Sequence, residues 1–146
     1  MVATMQCSEL MKTTLITVKP DDSAQVAARA MRDAGVGFIP VCDADGVALG
    51  TVTDRDIATR IVADALPATT DVDTFMTRDL VACRPTDDVR DAERLMADMQ
   101  VSRIMCVDES SDRLVGVISL SDIAQLEAGG RAARTLAEVS RREARP

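Results

Sequence analysis

Two segments of the sequence combine a hydroxyl side chain with a carboxylate three residues later. They read GTVTDRDI and GVISLSDI, and they place Thr53 before Asp56 and Ser119 before Asp122. Such a pair can cap a helix, because the hydroxyl and the carboxylate each accept a hydrogen bond from an otherwise unpaired backbone N–H. It can also bind a nucleotide, because a helix N-terminus attracts phosphate and a carboxylate accepts hydrogen bonds from ribose hydroxyls. Both interpretations stay open, and the use of Asp where caps prefer Glu or Gln favours the second.

Other kinds of chemistry lack the residues that they need. The sequence contains no His, its four Cys have no CxxC spacing, and it has no P-loop or GxGxxG motif. Zinc, haem and His-based catalysis are therefore excluded, and no nucleophile has a partner base in the sequence pattern. We predict that the protein is not an enzyme and requires no metal or cofactor.

Composition and charge narrow the possible partners. The 146 residues carry a formal net charge of -7 and only two aromatic side chains, which disfavours binding to nucleic acid. No apolar run approaches the roughly 18 residues of a membrane span, and the N-terminus lacks a basic segment followed by an apolar stretch. We therefore expect a cytoplasmic protein with no membrane partner.

An internal repeat organises the chain. A shift of 65 positions aligns residues 11–43 with residues 76–108, and eleven of these thirty-three positions are identical. After the next turn the shift becomes 66, which aligns the two hydroxyl–carboxylate motifs. Self-similarity at a fixed spacing indicates repeated supersecondary units. One such unit is too small to bury a core alone, so we expect the two copies to pack against each other.

Each copy has the pattern of a strand, a helix, two strands and a second helix. A proline ends the first apolar run, acidic residues follow to cap the first helix, and the second helix opens at the motif hydroxyl. The predicted strands are Leu15–Val18, Phe38–Cys42 and Val47–Val52, then Leu80–Cys83, Ile104–Val107 and Leu114–Ile118. The predicted fold class is α/β (α+β), with a first domain at 5–65, a second at 70–128 and a basic C-terminal helix or tail at 129–146.

The sequence resembles the CBS domain family, named after cystathionine β-synthase. The resemblance rests on the repeat and on four segments, which are Gly35–Val41, Gly50–Ile57, Val101–Val107 and Gly116–Ile123. It covers roughly residues 5 to 127. It implies tandem β-α-β-β-α repeats packed as a pseudo-twofold module with two clefts, each able to accept an adenosine-containing ligand.

The family pattern implies that each cleft takes residues from both copies. Thr53 and Asp56 would hold ribose and phosphate in one cleft, and Ser119 and Asp122 would do so in the other. The purine in the first cleft would lie near Arg78, Leu80, Val101, Ser102 and Arg103. The purine in the second cleft would lie near Thr13, Leu15, Val36, Gly37 and Phe38.

Charged residues predict that the two clefts are unequal. Arg55, Arg78 and Arg103 would approach the first cleft, whereas the equivalent positions of the second cleft have uncharged residues. Guanidinium groups form charge-assisted hydrogen bonds with phosphate, so we expect the first cleft to prefer the ligand with more phosphate. An alternative stays open, in which these arginines pair with nearby acidic residues such as Asp73.

The resemblance predicts a regulatory module that senses an adenine nucleotide or related adenosyl ligand. The ligand classes are AMP, ADP, ATP, NAD and S-adenosylmethionine, and the signal would pass to a separate, unidentified partner protein. The alternative is a structural dimeric scaffold whose clefts stay empty. We also predict a homodimer, because the helices after the motifs carry more aliphatic side chains than a small module can bury: Ile57, Ile61, Val62, Ile123 and Leu126.

Overall fold

The computed structural model describes residues 4–126 and 130–143, which form two compact units. Unit 1 combines the residues up to Leu15 with those from Val81 onward, and unit 2 spans Ile16–Leu80. These units differ from the sequence repeats, because the beginning of each repeat packs with the body of the other. The domain limit expected at 128 and 129 and the tail residue Arg145 lie outside the described residues.

The elements follow the predicted order with additional short helices. The helices of the described residues are α1 (Cys7–Leu10), α2 (Ala24–Ala34), α3 (Asp54–Asp56), α4 (Val72–Phe75), α5 (Val89–Met99), α6 (Leu120–Leu126) and α7 (Gly130–Glu143). Helix α3 continues directly as a π-helical segment at Ile57–Val62. The strands of the described residues are β1 (Phe38–Cys42), β2 (Ala48–Thr53), β3 (Ala82–Cys83), β4 (Arg103–Val107) and β5 (Leu114–Ser119).

Each unit contains an antiparallel hairpin that carries a motif hydroxyl at its end. Strand β1 pairs with β2 so that Phe38 lies opposite Thr53. Strand β4 pairs with β5 so that Arg103 lies opposite Ser119. In both hairpins the motif hydroxyl residue is therefore paired across the sheet with the first residue of the preceding strand.

The turn between β1 and β2 explains where β2 begins. One carboxylate oxygen of Asp43 accepts hydrogen bonds from the backbone N–H groups of Asp45 and Val47, each at 2.9 Å. Gly46 has a φ of 84°, a left-handed conformation that glycine adopts without steric cost. Because Val47 helps to close this turn, β2 begins at Ala48, one residue later than the sequence predicted.

Unit 1 has a three-stranded sheet in the order β3-β4-β5. Strand β3 pairs with β4 in parallel, and Cys83 lies opposite Cys106. The N–H of Met105 extends this pairing by donating a hydrogen bond of 3.1 Å to the carbonyl of Val81. The first strand of the second copy is therefore present, although it is shorter than the predicted Leu80–Cys83.

Unit 2 has only the two-stranded sheet of β1 and β2. The predicted strand Leu15–Val18 is reduced to a single parallel pair between Val18 and Val41. The next parallel hydrogen bonds on either side would need the N–H of Pro40 and of Pro20, which proline does not have. Two prolines thus explain why the first strand of this copy does not extend.

Helices α2 and α5 supply much of the core of their units. Met31 and Met96 occupy equivalent positions of the repeat, and they are 6% and 0% exposed. Not every apolar side chain of these helices is buried, since Val26 and Met99 remain 44% and 49% exposed. Helix α2 is capped by the hydroxyl of Ser23, which accepts from the N–H of Val26 at 3.2 Å, instead of by an acidic residue.

The basic C-terminal segment contains helix α7, which packs against α5 and α6 in unit 1. Thr135 and Val139 are buried, and Leu136 is 55% exposed. The hydroxyl of Thr135 donates a hydrogen bond of 3.2 Å to the carboxylate of Glu93 on α5. Among the described residues, no helix is long and apolar enough to cross a membrane.

Candidate functional site

The first motif lies in unit 2, where β2 ends and α3 begins. The Thr53 hydroxyl accepts a hydrogen bond from the N–H of Asp56 at 3.1 Å, and Oδ2 of Asp56 accepts one from the N–H of Thr53 at 3.0 Å. This reciprocal pair is a capping box, so the helix-cap interpretation of the motif is confirmed. The cap uses Oδ2 of the carboxylate and leaves Oδ1 for other partners.

The second motif repeats this geometry in unit 1, where β5 meets α6. The Ser119 hydroxyl accepts from the N–H of Asp122 at 3.1 Å, and Oδ2 of Asp122 accepts from the N–H of Ser119 at 2.9 Å. The hydroxyls of Ser119 and Ser121 lie 2.8 Å apart. Asp56 and Asp122 are 8% and 7% exposed, so each unit holds a nearly buried carboxylate at the start of a helix.

In each unit a residue from the start of the other repeat faces the motif carboxylate. Thr77 forms two backbone hydrogen bonds of 2.9 Å with β2, and its hydroxyl lies 3.4 Å from both oxygens of Asp56. Lys12 forms backbone hydrogen bonds of 2.9 and 3.0 Å with β5, and its Nζ lies 3.2 Å from Oδ1 of Asp122. Equivalent positions of the repeat therefore present a hydroxyl to one carboxylate and a cation to the other.

The ionisation of Asp122 reflects these contacts. Burial raises its pKa, but the hydrogen bonds from Ser119 and the contact with Lys12 outweigh burial and bring the pKa below its usual value. Asp122 is therefore an anion at neutral pH. A carboxylate in this state can accept hydrogen bonds from a diol.

Arg60 is a second cation near the first motif. Its Nε lies 3.9 Å from Oδ1 of Asp56, which is a long ion pair. Its Nη1 donates hydrogen bonds of 2.9 and 3.3 Å to the backbone carbonyls of Phe75 and Met76. These two carbonyls hold the guanidinium in place beside the carboxylate.

The structure divides the fifteen predicted site residues between the two units. Unit 2 contains Thr53, Arg55, Asp56, Arg78, Leu80, Val36, Gly37 and Phe38. Unit 1 contains Ser119, Asp122, Thr13, Leu15, Val101, Ser102 and Arg103. Each motif thus shares a unit with the start of the other repeat. The predicted contacts between a motif and the purine-side residues of the other unit stay predictions.

The segments at 36–38 and 101–103 lie beside the motif of their own copy. The carbonyl of Gly37 accepts a hydrogen bond from the N–H of Asp54 at 3.0 Å, and the carbonyl of Ser102 accepts one from the N–H of Leu120 at 2.8 Å. A Cβ added to Gly37 would lie 2.8 Å from the carboxylate of Asp54, so the absence of a side chain permits this close approach. Each of these carbonyls therefore accepts a hydrogen bond from the first residue of the helix that begins at the motif.

Arg78 is already paired within unit 2. Its Nη2 donates hydrogen bonds to the carboxylate of Asp73 at 2.7 Å and to the carbonyl of the same residue at 2.8 Å. The acidic-pairing alternative that the sequence left open therefore applies to Arg78. Other predicted residues are exposed or half-buried: Arg55, Leu80, Thr13 and Leu15.

Three residues that face the motif carboxylates were not among the predicted site residues, namely Thr77, Lys12 and Arg60. The signal for the first two was present, because the repeat aligns Lys12 with Thr77 and each precedes a predicted site residue by one position. Arg60 follows Asp56 by four residues, a helical spacing at which side chains meet. Its repeat counterpart is Leu126, so the repeat itself carried no signal for a cation there.

The cysteines are buried and form no disulfide. Sγ of Cys83 lies 3.4 Å from Sγ of Cys106 across β3 and β4. The hydrogen bond with Cys106, together with burial, raises the pKa of Cys83 to about 12, so this sulfur is a protonated thiol at neutral pH. In residues 4–126 and 130–143, no group of three or more His, Cys, Asp or Glu side chains could hold a metal ion.

A CBS domain family model matches residues 7–63 and 71–129, which together include both motifs and both hairpins. The chain belongs to the CBS domain family. Among curated relatives, it is 40% identical over 116 residues to the CBS domain-containing protein YhcV of Bacillus subtilis. That match covers 80% of this chain and 81% of YhcV. The resemblance stated from the motifs is thus confirmed.

Solved structures share the CBS fold with this chain. The CBS domain pair of MJ0100, solved with 5′-methylthioadenosine and S-adenosyl-L-methionine, matches with a TM-score of 0.75 at 22% identity, over 85% of this chain and 96% of that one. CBSX2, solved in complex with AMP, matches with a TM-score of 0.72 at 22% identity, over 83% and 94% of the two chains. These likenesses confirm the predicted mixed α/β class with tandem CBS repeats.

Proposed function

We propose that this CBS protein is a regulatory module that binds adenosine-containing ligands at its motif carboxylates and signals to a separate protein. CBS domain proteins are generally regulatory, and the proposal assigns no catalytic step to the chain. Two solved CBS proteins with this fold bind ligands of the class, AMP in one and 5′-methylthioadenosine with S-adenosyl-L-methionine in the other. We also propose a cytoplasmic location, supported by four free cysteines, since reduced thiols persist in that compartment.

The geometry of the two carboxylates carries this proposal. Asp56 and Asp122 each use Oδ2 to cap a helix and leave Oδ1 facing a polar side chain that a ligand could replace. A carboxylate in this position can accept hydrogen bonds from both hydroxyls of a ribose. Both side chains are nearly buried, and a hydrogen bond is electrostatically stronger where water is scarce.

The second candidate function is a structural scaffold whose sites stay empty. The observation that favours it is the completeness of the capping box in both units, because the motif residues then have a structural role without any ligand. The two candidates differ in one measurable property. A sensor is stabilised by its ligand, whereas a scaffold is not.

We expect AMP, or another member of a panel of AMP, ADP, ATP, NAD and S-adenosylmethionine, to raise the melting temperature at millimolar concentration. A ligand at a hundred times its dissociation constant stabilises a protein by about 2.7 kcal/mol.

The variants Asp56→Asn and Asp122→Asn should each weaken one site at least about tenfold in calorimetry, because the amide can still cap the helix but loses the charge that strengthens hydrogen bonds from the diol.

The matched control for these variants is Asp45→Asn, which removes the same charge from an exposed position in the turn between β1 and β2. It should bind as the wild type does. The double variant Asp56→Asn/Asp122→Asn should bind every member of the panel at least about tenfold more weakly at both sites. A wild-type chain that gives no thermal shift with any of the five ligands would contradict the sensor proposal and support the scaffold.

We further propose that the chain forms a homodimer. Two of the aliphatic side chains from which the sequence predicts a dimer, Ile61 and Ile123, do not support it, because they are buried inside their own units at 4% and 0% exposure. Val62 and Leu126 still expose 71% and 50% of their surface. A contiguous exposed apolar patch is typical of an interaction surface, and we propose that Val62 and Leu126 each contribute to such a patch at the end of a motif helix.

Light scattering at micromolar concentration should return twice the 15.6 kDa mass of one chain. The variant Val62→Glu should shift the equilibrium toward the monomer, because a buried, unpaired carboxylate is costly. The control Ala44→Glu adds the same charge at an exposed turn position and should leave the mass unchanged. A wild-type monomer under these conditions would rule out the dimer.

A further inference from the structure

We infer that Lys12 selects an anionic ligand at the Asp122 carboxylate, so that this site takes a nucleoside phosphate in preference to an uncharged nucleoside. The inference rests on the proposed function and deepens it. It names the charge of the ligand and the residue that recognises this charge.

The position of Lys12 combines a fixed backbone with an adjustable side chain. Two backbone hydrogen bonds, of 2.9 and 3.0 Å, join Lys12 to Val117 on β5. The side chain is 73% exposed, whereas the side chain of Asp122, 3.2 Å from Nζ, is only 8% exposed. A lysine ammonium on a flexible four-carbon stem can therefore leave the carboxylate without any change in the strand.

A ribose diol that binds Oδ1 of Asp122 must take the place of this ammonium. An uncharged nucleoside would displace Lys12 and offer it nothing in exchange, so the lost ion pair counts against binding. A nucleoside phosphate offers a second anion, and Lys12 can pair with it through a charge-assisted hydrogen bond. The same lysine thus opposes an uncharged ligand and supports an anionic one.

The first motif differs at the equivalent position. Thr77 presents an uncharged hydroxyl to Asp56, at a long 3.4 Å, so a diol displaces no ion pair there. Arg60 is held by two backbone carbonyls and cannot follow a ligand as a flexible lysine can. Arg78 is engaged by Asp73. Among the residues that face the two carboxylates, only Lys12 is a flexible cation, so the preference for phosphate falls on the Asp122 site, opposite to the asymmetry that the arginines predict from sequence.

Calorimetry with AMP and adenosine tests this selectivity. In an Asp56→Asn background, in which the Asp56 site is weakened and the Asp122 site is the tighter one, AMP should bind the Asp122 site more tightly than adenosine. The further change Lys12→Thr installs the residue that the repeat has at position 77. The preference for AMP is measured as the dissociation constant of adenosine divided by the dissociation constant of AMP. Lys12→Thr should lower this ratio about fivefold to tenfold, through weaker AMP binding, tighter adenosine binding or both.

The chain offers two matched controls. Lys19 is the other lysine in the sequence and lies in unit 2, so Lys19→Thr removes the same charge elsewhere and should leave the ratio unchanged. The reciprocal change Thr77→Lys, in an Asp122→Asn background, should raise the same ratio at the Asp56 site. Raising the salt concentration should reduce the AMP preference only where a lysine faces the carboxylate.

Nuclear magnetic resonance of lysine labelled with ¹³C at Cε gives a direct readout, because two lysines produce two signals. AMP should shift the Lys12 signal and leave that of Lys19 in place. A ratio that Lys12→Thr does not change, or that Lys19→Thr changes equally, would overturn the inference and leave the proposed function standing. A wild-type chain that binds neither AMP nor adenosine would overturn the inference, and the proposed function too if no other ligand of the panel binds.

Discussion

Replacing Met96 with alanine should lower the free energy of unfolding by about 2–5 kcal/mol. Met96 lies on α5 and is fully buried in the core of unit 1, together with Ile104 and Ile118. Truncation removes the side-chain atoms beyond Cβ and leaves a cavity that rigid neighbours fill only in part. Urea unfolding followed by circular dichroism, at one fixed protein concentration, measures the loss.

Met99 provides the matched control on the same helix. Its side chain is 49% exposed, so Met99→Ala should change the free energy of unfolding by less than about 1 kcal/mol. A loss with Met99→Ala as large as that with Met96→Ala would contradict the burial described above. It would indicate that another surface covers Met99 in solution.

The repeat made most of the fold predictable from sequence. Hairpins, amphipathic helices and the opening of a helix at each motif hydroxyl are local features, and each occurred twice at matching positions. Met31 and Met96 lie at equivalent positions of the repeat, and both are buried in the core. Val26 and Met99 are apolar residues of the same two helices but are exposed, because each lies at the edge of the apolar stripe, where helical spacing does not distinguish core from surface.

A single substitution within the repeat accounts for the main departure from its symmetry. Pro40 and Met105 occupy equivalent positions of the repeat. In the structure the difference decides strand pairing, because the N–H of Met105 donates to Val81 and proline has none to donate. The missing N–H of Pro40 thus changes the number of strands in the sheet. The sequence alone did not predict this, because the effect depends on which strand lies beside position 40.

The candidate site was predictable in its motifs and not in the residues that face them. Thr53, Asp56, Ser119 and Asp122 stand out because their spacing is local and repeated. The partner of Asp122, Lys12, comes from the opposite end of the sequence, and no local pattern reports such a contact. The pairing of Arg78 with Asp73 was one of several alternatives that composition left open, and geometry alone selects it.

The same long-range packing explains why both copies carry glycine two residues into the motif strand, and it predicts that the two glycines differ in importance. A Cβ added to Gly50 would meet the backbone carbonyl oxygen of Thr77. A Cβ added to Gly116 would meet the side chain of Met11, with Sδ at 2.5 Å, Cγ at 2.6 Å and Cβ at 2.8 Å. Sδ and Cγ of Met11 can rotate away from such a contact and its Cβ must shift by a small amount, whereas the backbone carbonyl of Thr77 can move only if the hydrogen-bonded chain moves with it.

Gly50→Ala should therefore lower the free energy of unfolding by about 2–4 kcal/mol, because overpacking is added to the loss of the two hydrogen bonds between Thr51 and Thr77. Gly116→Ala should cost less, about 1–2 kcal/mol, because a rotamer change at Met11 is combined with a small shift of its Cβ. Urea unfolding compares the two variants, and hydrogen exchange at the amides of Thr51 and Thr77 should show lost protection only in Gly50→Ala. Because Thr77 faces Asp56, Gly50→Ala should also weaken ligand binding at that carboxylate and spare Asp122. Equal destabilisation by the two substitutions, with protection retained at Thr77, would contradict the assignment of these contacts.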